Sequence, residues 1–149
     1  MERLFRKQRG VTLLEILLVL AIASIIIVLS IRYYQSANTA QQANGTMQVI
    51  QSIASGMDNL AATTGAYTGF NNAALSSLTS LNINNSNAVL GASVTVSATS
   101  AAVYSVTINN VSLPACTLVK SRLAVNTKYP AASVQCTGGR LTYQYNNLN

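Results

Sequence analysis

The sequence predicts an α+β fold in which one long N-terminal helix precedes a small antiparallel sheet. Two observations support this prediction. No proline occurs before Pro114, so nothing interrupts a helix that begins at Val11 and runs for about fifty residues. Beyond residue 93, short runs of apolar residues alternate with polar ones, which is the pattern of half-buried strands.

The predicted helix has an apolar first part and an amphipathic second part. Residues 11–31 carry a single charged side chain, Glu15, and are long enough to cross a bilayer, which takes about 20 apolar residues. Residues 32–64 continue the helix, and an apolar stripe at helical spacing marks the face that we expect to pack on the sheet. The stripe is formed by Ala43, Met47, Ile50, Ala54, Met57 and Ala61, and it is widened by Val49, Ile53 and Leu60.

Two glycines interrupt this second part of the helix. Gly45 and Gly56 each weaken a helix by about 1 kcal/mol relative to alanine. They fit points where the helix bends, and they fit equally well places where another element packs closely.

Residues 65–149 are expected to form a globular lobe. The turn-rich segment 64–70 ends the long helix, Ala73–Leu81 predicts a short helix, and 82–87 a polar loop. Alternation at Val94, Val96 and Ala98, and again at Tyr104, Val106 and Ile108, predicts two antiparallel strands.

The end of the chain predicts a hairpin. Val134 and Cys136 alternate before Gly138-Gly139, and Leu141, Tyr143 and Tyr145 alternate after it. Before the hairpin, Pro114–Leu123 is expected to form a helical turn that carries Cys116. We expect the tyrosines at positions 67, 104, 143 and 145 to lie in the core.

The residue types argue against an enzyme. The chain has no histidine, and its acids are Glu2, Glu15 and Asp58. Acid–base catalysis needs positioned titratable groups, and metal sites need clustered ligands. We therefore expect no catalytic residue, no metal and no cofactor. The net charge of +6 does not indicate a nucleic-acid ligand either, because the basic residues are split between the N-terminus and scattered later positions.

The N-terminus allows three interpretations. A secretory signal peptide would have a shorter apolar run and small residues at a cleavage site, whereas Ile31-Arg32-Tyr33-Tyr34 follows here. A plain single-pass anchor fits the length but does not explain Glu15, because a carboxylate in hydrocarbon is costly. The third interpretation rests on Arg9-Gly10-Val11-Thr12-Leu13-Leu14-Glu15, which resembles the processing site of type IV prepilins.

The resemblance implies a sequence of roles for these residues. Residues 1–10 would be the leader peptide, which a prepilin peptidase removes by cutting after Gly10 before it methylates the new N-terminal Val11. Glu15 would then pair with the amine of a neighbouring subunit during assembly. Residues 11–31 would first span the bacterial inner membrane and later form the core of a helical homopolymer, the extracellular pilus.

The same resemblance implies the partners and the lobe. Besides copies of itself and the peptidase, the subunit would need an assembly ATPase with its platform protein and an outer-membrane secretin. Cys116 and Cys136 behind such an N-terminus predict a disulfide in an oxidising compartment, although two buried thiols are the alternative. Type IV pilins commonly carry a C-terminal disulfide loop, and here it would hold three basic residues that form either an adhesive patch or a solubilising surface. They are Lys120, Arg122 and Lys128.

Several related functions share this N-terminus. A valine after the cleavage glycine favours the type IVb branch, whereas a ten-residue leader is short for it. A minor pilin and a type II secretion pseudopilin are the closest alternatives, and an unprocessed, membrane-anchored binding module is the alternative of another class. The fibres of the family serve adhesion, aggregation, conjugation, DNA uptake or motility, and the sequence does not choose among these roles.

Overall fold

A computed structural model of the protein describes residues 11–70 and 93–148. The chain divides into two compact units, Met1–Ala37 and Asn38–Asn149, which we call the N-terminal segment and the lobe. Three predicted features lie outside the described residues: the leader peptide at 1–10, the short helix over Ala73–Leu81 and the polar loop at 82–87.

The predicted long helix is confirmed. Helix α1 spans Leu13–Thr64, 52 residues, and therefore begins in the N-terminal segment and ends in the lobe. Gly65 follows with a positive φ of 79°, and its N–H donates to the carbonyl of Ala61 at 2.7 Å. This left-handed residue satisfies one of the carbonyls that every helix leaves unpaired at its C-terminal end, which is why the helix stops here.

The buried face of α1 is rotated from the predicted stripe. Val49 and Ile53, which were expected only to widen the stripe, are buried, whereas Met47, Ala54 and Ala61 are partly buried at its side. The buried positions repeat at intervals of three and four along the helix: Ala43, Thr46, Val49, Ile50, Ile53 and Met57. Gly45 and Gly56 are buried on the same side, which supports close packing as the reason for both glycines.

The predicted sheet is confirmed, with four antiparallel strands in the order β1-β2-β4-β3. The strands are β1 (Val94–Ala98), β2 (Val103–Asn109), β3 (Gln135–Thr137) and β4 (Arg140–Asn146). The hairpin between β3 and β4 turns at Gly138 and Gly139, whose φ values of 57° and 73° are both positive. Two consecutive positive φ angles define the tight hairpin turn that glycine adopts at little cost.

The helical element predicted over Pro114–Leu123 is confirmed. It forms helix α2 (Leu113–Leu123), which has 11 residues and begins one residue before the predicted start. Its buried residues are spaced like one face of a helix: Ala115, Cys116, Val119 and Leu123. Pro114 lies in the first turn, where its missing N–H costs nothing. A short 3₁₀ helix, Ala131–Ser133, precedes β3.

Tyrosine rings form the centre of the lobe's core, and the four predicted there are buried. Ring centroids lie 5.1 Å apart for Tyr67 and Tyr104, and 4.9 Å apart for Tyr104 and Tyr145. Tyr129, which was not predicted, joins through Tyr143 at 5.7 Å. Burial raises the pKa of the Tyr129 hydroxyl to about 12, and it raises those of Tyr104 and Tyr143 well above their usual range.

Candidate assembly site at the helix N-terminus

Of the residues predicted to act in processing and assembly, the structure describes Val11 and Glu15, which lie just before and within the first turn of α1. Gly10 lies outside the described residues. Val11 is 65% exposed and precedes the first helical residue by two positions. Glu15 is exposed in the first turn of the helix, four residues after Val11. A charge carried by the backbone of residue 11 would therefore lie close in sequence to the Glu15 carboxylate.

Thr12 caps the helix and fixes the backbone at Glu15. The N–H of Glu15 donates to the Thr12 carbonyl at 3.0 Å and to Thr12 Oγ1 at 3.3 Å, and the N–H of Ile16 donates to the same carbonyl at 3.3 Å. These bonds satisfy N–H groups that a helix otherwise leaves without partners. This role of Thr12 was not predicted, although Thr-x-x-Glu before an apolar run is the signature of a capping box.

Glu15 occupies a position where the helix itself favours a negative charge. The first turn of a helix carries the positive end of the backbone dipole, which stabilises a carboxylate by about 0.3–1 kcal/mol at an exposed site. The acid is therefore compatible with a stable helix N-terminus. A carboxylate at this position becomes costly when the apolar segment around it lies in a bilayer, because hydrocarbon cannot solvate the charge.

The apolar residues after Glu15 are exposed along the whole N-terminal segment. Leu17 is 58% exposed, Leu20 60% and Ile27 58%, and none of the most apolar 18-residue window of α1 is buried. Within residues 11–70 and 93–148, α1 is the one helix that is long and apolar enough to cross a membrane, judged by length and composition. Exposed apolar surface of this extent marks a contact with a membrane or with other protein.

Residues 5–31 match the family model described as the prokaryotic N-terminal methylation motif. The match supports a type IV pilin-like prepilin. The motif indicates a structural protein, and together with the apolar helix it fits a membrane-anchored precursor. No curated protein and no solved structure matches the prepilin-like chain at a significant level.

The lobe of this prepilin-like chain carries the predicted disulfide. Cys116 on α2 is bonded to Cys136 on β3, across a sequence separation of 20 residues. Two of the three basic side chains of the disulfide loop have partners. Arg122 Nη1 donates to Asn44 Oδ1 on α1 at 2.7 Å, and Lys128 Nζ donates to the Tyr145 hydroxyl at 3.1 Å. These two charges thus tie the loop to the rest of the lobe.

A polar network around Asp58 was not predicted. Tyr67 donates to Asp58 Oδ1 at 2.7 Å, and the Tyr145 hydroxyl lies 3.4 Å from Asp58 Oδ2. Lys128 extends the network through Tyr145, and this hydrogen bond raises the pKa of the Lys128 amine. Burial, followed by the hydrogen bond to Asp58, raises the pKa of the Tyr67 hydroxyl above its usual range. The network joins α1 to the end of β4.

Gln42 makes a second polar connection, at the other end of the lobe's part of α1. Its Nε2 donates to the Asn110 carbonyl at 3.3 Å, and its Oε1 accepts from the Ser112 N–H at 3.3 Å and from the Ser112 hydroxyl. Asn110 has a positive φ of 61°, which asparagine tolerates better than most residues. One side chain thus holds α1 against the connection between β2 and α2.

Proposed function

We propose that the chain is a structural subunit of a type IV pilus, cleaved after Gly10, N-methylated at Val11 and polymerised into a helical fibre. The observation that carries the proposal is the methylation motif at residues 5–31, which overlaps the first part of α1, where the most apolar 18-residue window has none of its residues buried. Exposing such an apolar surface to water is unfavourable, so a bilayer would cover the surface before assembly and neighbouring subunits would cover it afterwards.

In this proposal Glu15 makes assembly selective. Cleavage would create a cationic amine at Val11. The carboxylate could pair with its own amine, four residues away, or with the amine of a neighbour. Pairing with the neighbour explains why the acid is kept in an apolar segment. An unpaired carboxylate is costly in hydrocarbon, and this cost falls when a neighbouring subunit in the growing fibre supplies a cation. Docking on the fibre is then favoured over diffusion in the membrane.

The proposal includes the route from membrane to fibre. The precursor would lie in the bacterial inner membrane with its basic leader in the cytoplasm, since positive flanks stay on that side. A prepilin peptidase would process it there, an assembly ATPase with its platform protein would extract it, and an outer-membrane secretin would let the fibre pass. The disulfide would form in the oxidising periplasm. Val11 favours the type IVb branch for this subunit.

The test compares fibre formation by Glu15 variants in a host that carries the assembly machinery. Glu15→Val and Glu15→Gln should be cleaved largely like the parent, but they should remain in the membrane fraction and be absent from sheared fibres. Ser24→Ala is the matched control, because Ser24 is an exposed residue of the same apolar segment whose hydroxyl bonds only to the Ala21 carbonyl. Normal fibres from either Glu15 variant would overturn the proposed role of the acid.

A further inference from the structure

Three residues with an unusual combination of side chains follow the apolar run directly. Arg32 is exposed, Tyr33 is 80% exposed and Tyr34 is 72% exposed, and all three are helical residues of α1. A soluble helix seldom presents two neighbouring tyrosines in this way, because each ring leaves a large apolar area in water. Tyrosine and arginine are instead typical of the boundary between hydrocarbon and water, where the ring and the charged or hydroxyl group meet different surroundings.

The apolar segment before Arg32 is about as long as the hydrocarbon core of a bilayer is thick. Leu13 to Ile31 rises about 27 Å at 1.5 Å per residue, and Val11 and Thr12 bring the apolar stretch to about 30 Å. The hydrocarbon core of a bilayer is also about 30 Å thick. A helix that starts at one face therefore brings Arg32 to the other face.

The two tyrosines also shape a cleft suited to lipid. Tyr33 and Tyr34 flank an open cleft of about 500 Å³ whose remaining lining is Leu29, Ser30 and Ala37. The Ser30 hydroxyl donates to the Ile26 carbonyl at 2.8 Å, so its one donor is used within the helix. The cleft thus has a largely apolar floor between two phenol rings, and Arg32 lies next to Tyr33 in the sequence, outside the cleft lining.

We propose that Arg32, Tyr33 and Tyr34 form an interfacial anchor that binds phospholipid headgroups at the periplasmic face and sets the depth of α1 in the bilayer. The guanidinium complements lipid phosphate, and the phenol rings lie at the level of the glycerol and the upper acyl chains. A second copy is a poorer occupant of the cleft. Parallel helices in register would place Arg32 against Arg32, and the nearest acid, Glu15, is 17 residues or about 25 Å away along the helix.

The anchor has a consequence for Glu15. With Arg32 at one edge of the hydrocarbon, Glu15 lies about 5 Å inside the opposite edge, within one helical turn of the headgroups. The anchor therefore keeps the acid and the Gly10–Val11 bond near the cytoplasmic surface. This inference rests on the proposed membrane-bound precursor, and it adds the element that fixes the register of that precursor.

The chain has no tryptophan, which allows single-tryptophan reporters of depth. Tyr33→Trp, Tyr34→Trp and a midspan control, Leu20→Trp, are placed separately in the full chain and reconstituted into phosphatidylcholine–phosphatidylglycerol vesicles containing lipids brominated at known depths. We expect tryptophan at positions 33 and 34 to report about 15 Å from the bilayer centre, and tryptophan at position 20 to report within about 5 Å of it. Tryptophans at 33 and 34 that are quenched by aqueous iodide but not by brominated lipid would overturn the anchor.

The controls separate the possible failures. If tryptophan at position 20 also escapes brominated lipid, the chain is not in the bilayer, and the proposed membrane stage fails with the anchor. If lipid quenching at positions 33 and 34 appears only when the protein is diluted in the vesicles, copies of the chain cover the cleft at higher density, and the lipid assignment is wrong.

Depth-setting is tested with a reporter at the opposite end of the segment. Leu13→Trp is combined with Tyr33→Ala and Tyr34→Ala, and we expect the reporter to move by about 3 Å or more, or two residues along the helix. Ser36→Ala, an exposed position one turn outside the span, is the matched control and should leave the depth unchanged. Alanine favours helix, so helicity by circular dichroism should be retained. An unmoved reporter would overturn the depth-setting role.

Discussion

Cutting the Cys116–Cys136 disulfide is expected to destabilise the lobe by about 3 kcal/mol. The magnitude follows from the 20-residue separation of the two cysteines, because cross-linking a loop of this length removes conformational entropy mainly from the unfolded chain. The bond also acts where the fold has few other contacts. Strand β3 has three residues and lies at the edge of the sheet, paired only with β4.

The assay is urea unfolding of the full chain in detergent, followed by tyrosine near-ultraviolet circular dichroism. Two proteins lack the bond, the Cys116→Ala/Cys136→Ala variant and the reduced parent protein with both thiols retained. Both should lose about 3 kcal/mol, and the dependence on urea should steepen because the unfolded chain exposes more surface. Val125→Ala is the matched control, since Val125 lies within the same loop and is 86% exposed.

Removing the disulfide should also reduce stability unevenly across the lobe. Amide hydrogen exchange should increase first in β3 and the preceding 3₁₀ helix and least in β2, which pairs with strands on both sides. A loss below about 1 kcal/mol in both proteins, or equal acceleration of exchange in β2 and β3, would refute the view that the cross-link holds this edge of the sheet.

Three further predictions concern the polar contacts and the tyrosines. Gln42→Ala should destabilise the lobe by about 1–2 kcal/mol in the same urea assay, because it removes the hydrogen bonds between α1 and the loop before α2, whereas the exposed neighbour Gln41→Ala should change stability by less than about 0.5 kcal/mol. Tyr67→Phe should cost about 1 kcal/mol by removing the bond to Asp58, and most of this effect should disappear in an Asp58→Asn background. Alkaline pH should destabilise the lobe. Burial raises the pKa of Tyr129 to about 12 in the folded protein, whereas a tyrosine in the unfolded chain has a pKa of about 10. The stability that the neutral hydroxyl contributes is therefore complete below about pH 10 and is lost as the pH rises to about 12. Absorbance at 295 nm and the urea midpoint measured across this range should change together, and full tyrosine ionisation near pH 10 in a folded lobe would contradict the burial argument.

Local sequence signals predicted most of the described fold. Alternating apolar residues located the four strands, and Gly138-Gly139 located the hairpin, because both depend on neighbouring residues alone. The bounds expected for α2, Pro114–Leu123, agree with the observed helix to within one residue. The spacing of Cys116, Val119 and Leu123 by three and four residues is a further local signal of this helix.

The face that α1 buries could not be fixed from the helix alone. Two adjacent stripes were apolar, and the contacts with the sheet selected the one through Val49 and Ile53. The polar contacts could not be predicted from local sequence either. Asp58 and Tyr145 are 87 residues apart in the sequence, and Gln42 and Ser112 are 70 apart. Only the fold brings such pairs together, whereas the Thr12 cap is local and could have been predicted.

Processing of the chain into a pilin-like subunit is tested most directly by the intact mass of the protein purified from a host with a prepilin peptidase. We expect the mass of residues 11–149 with one added methyl group and two hydrogens fewer, because methylation of Val11 adds the methyl group and oxidation of the two cysteines removes the hydrogens. A mass that retains Met1 and residues 2–10 would contradict processing and indicate an unprocessed membrane-anchored protein.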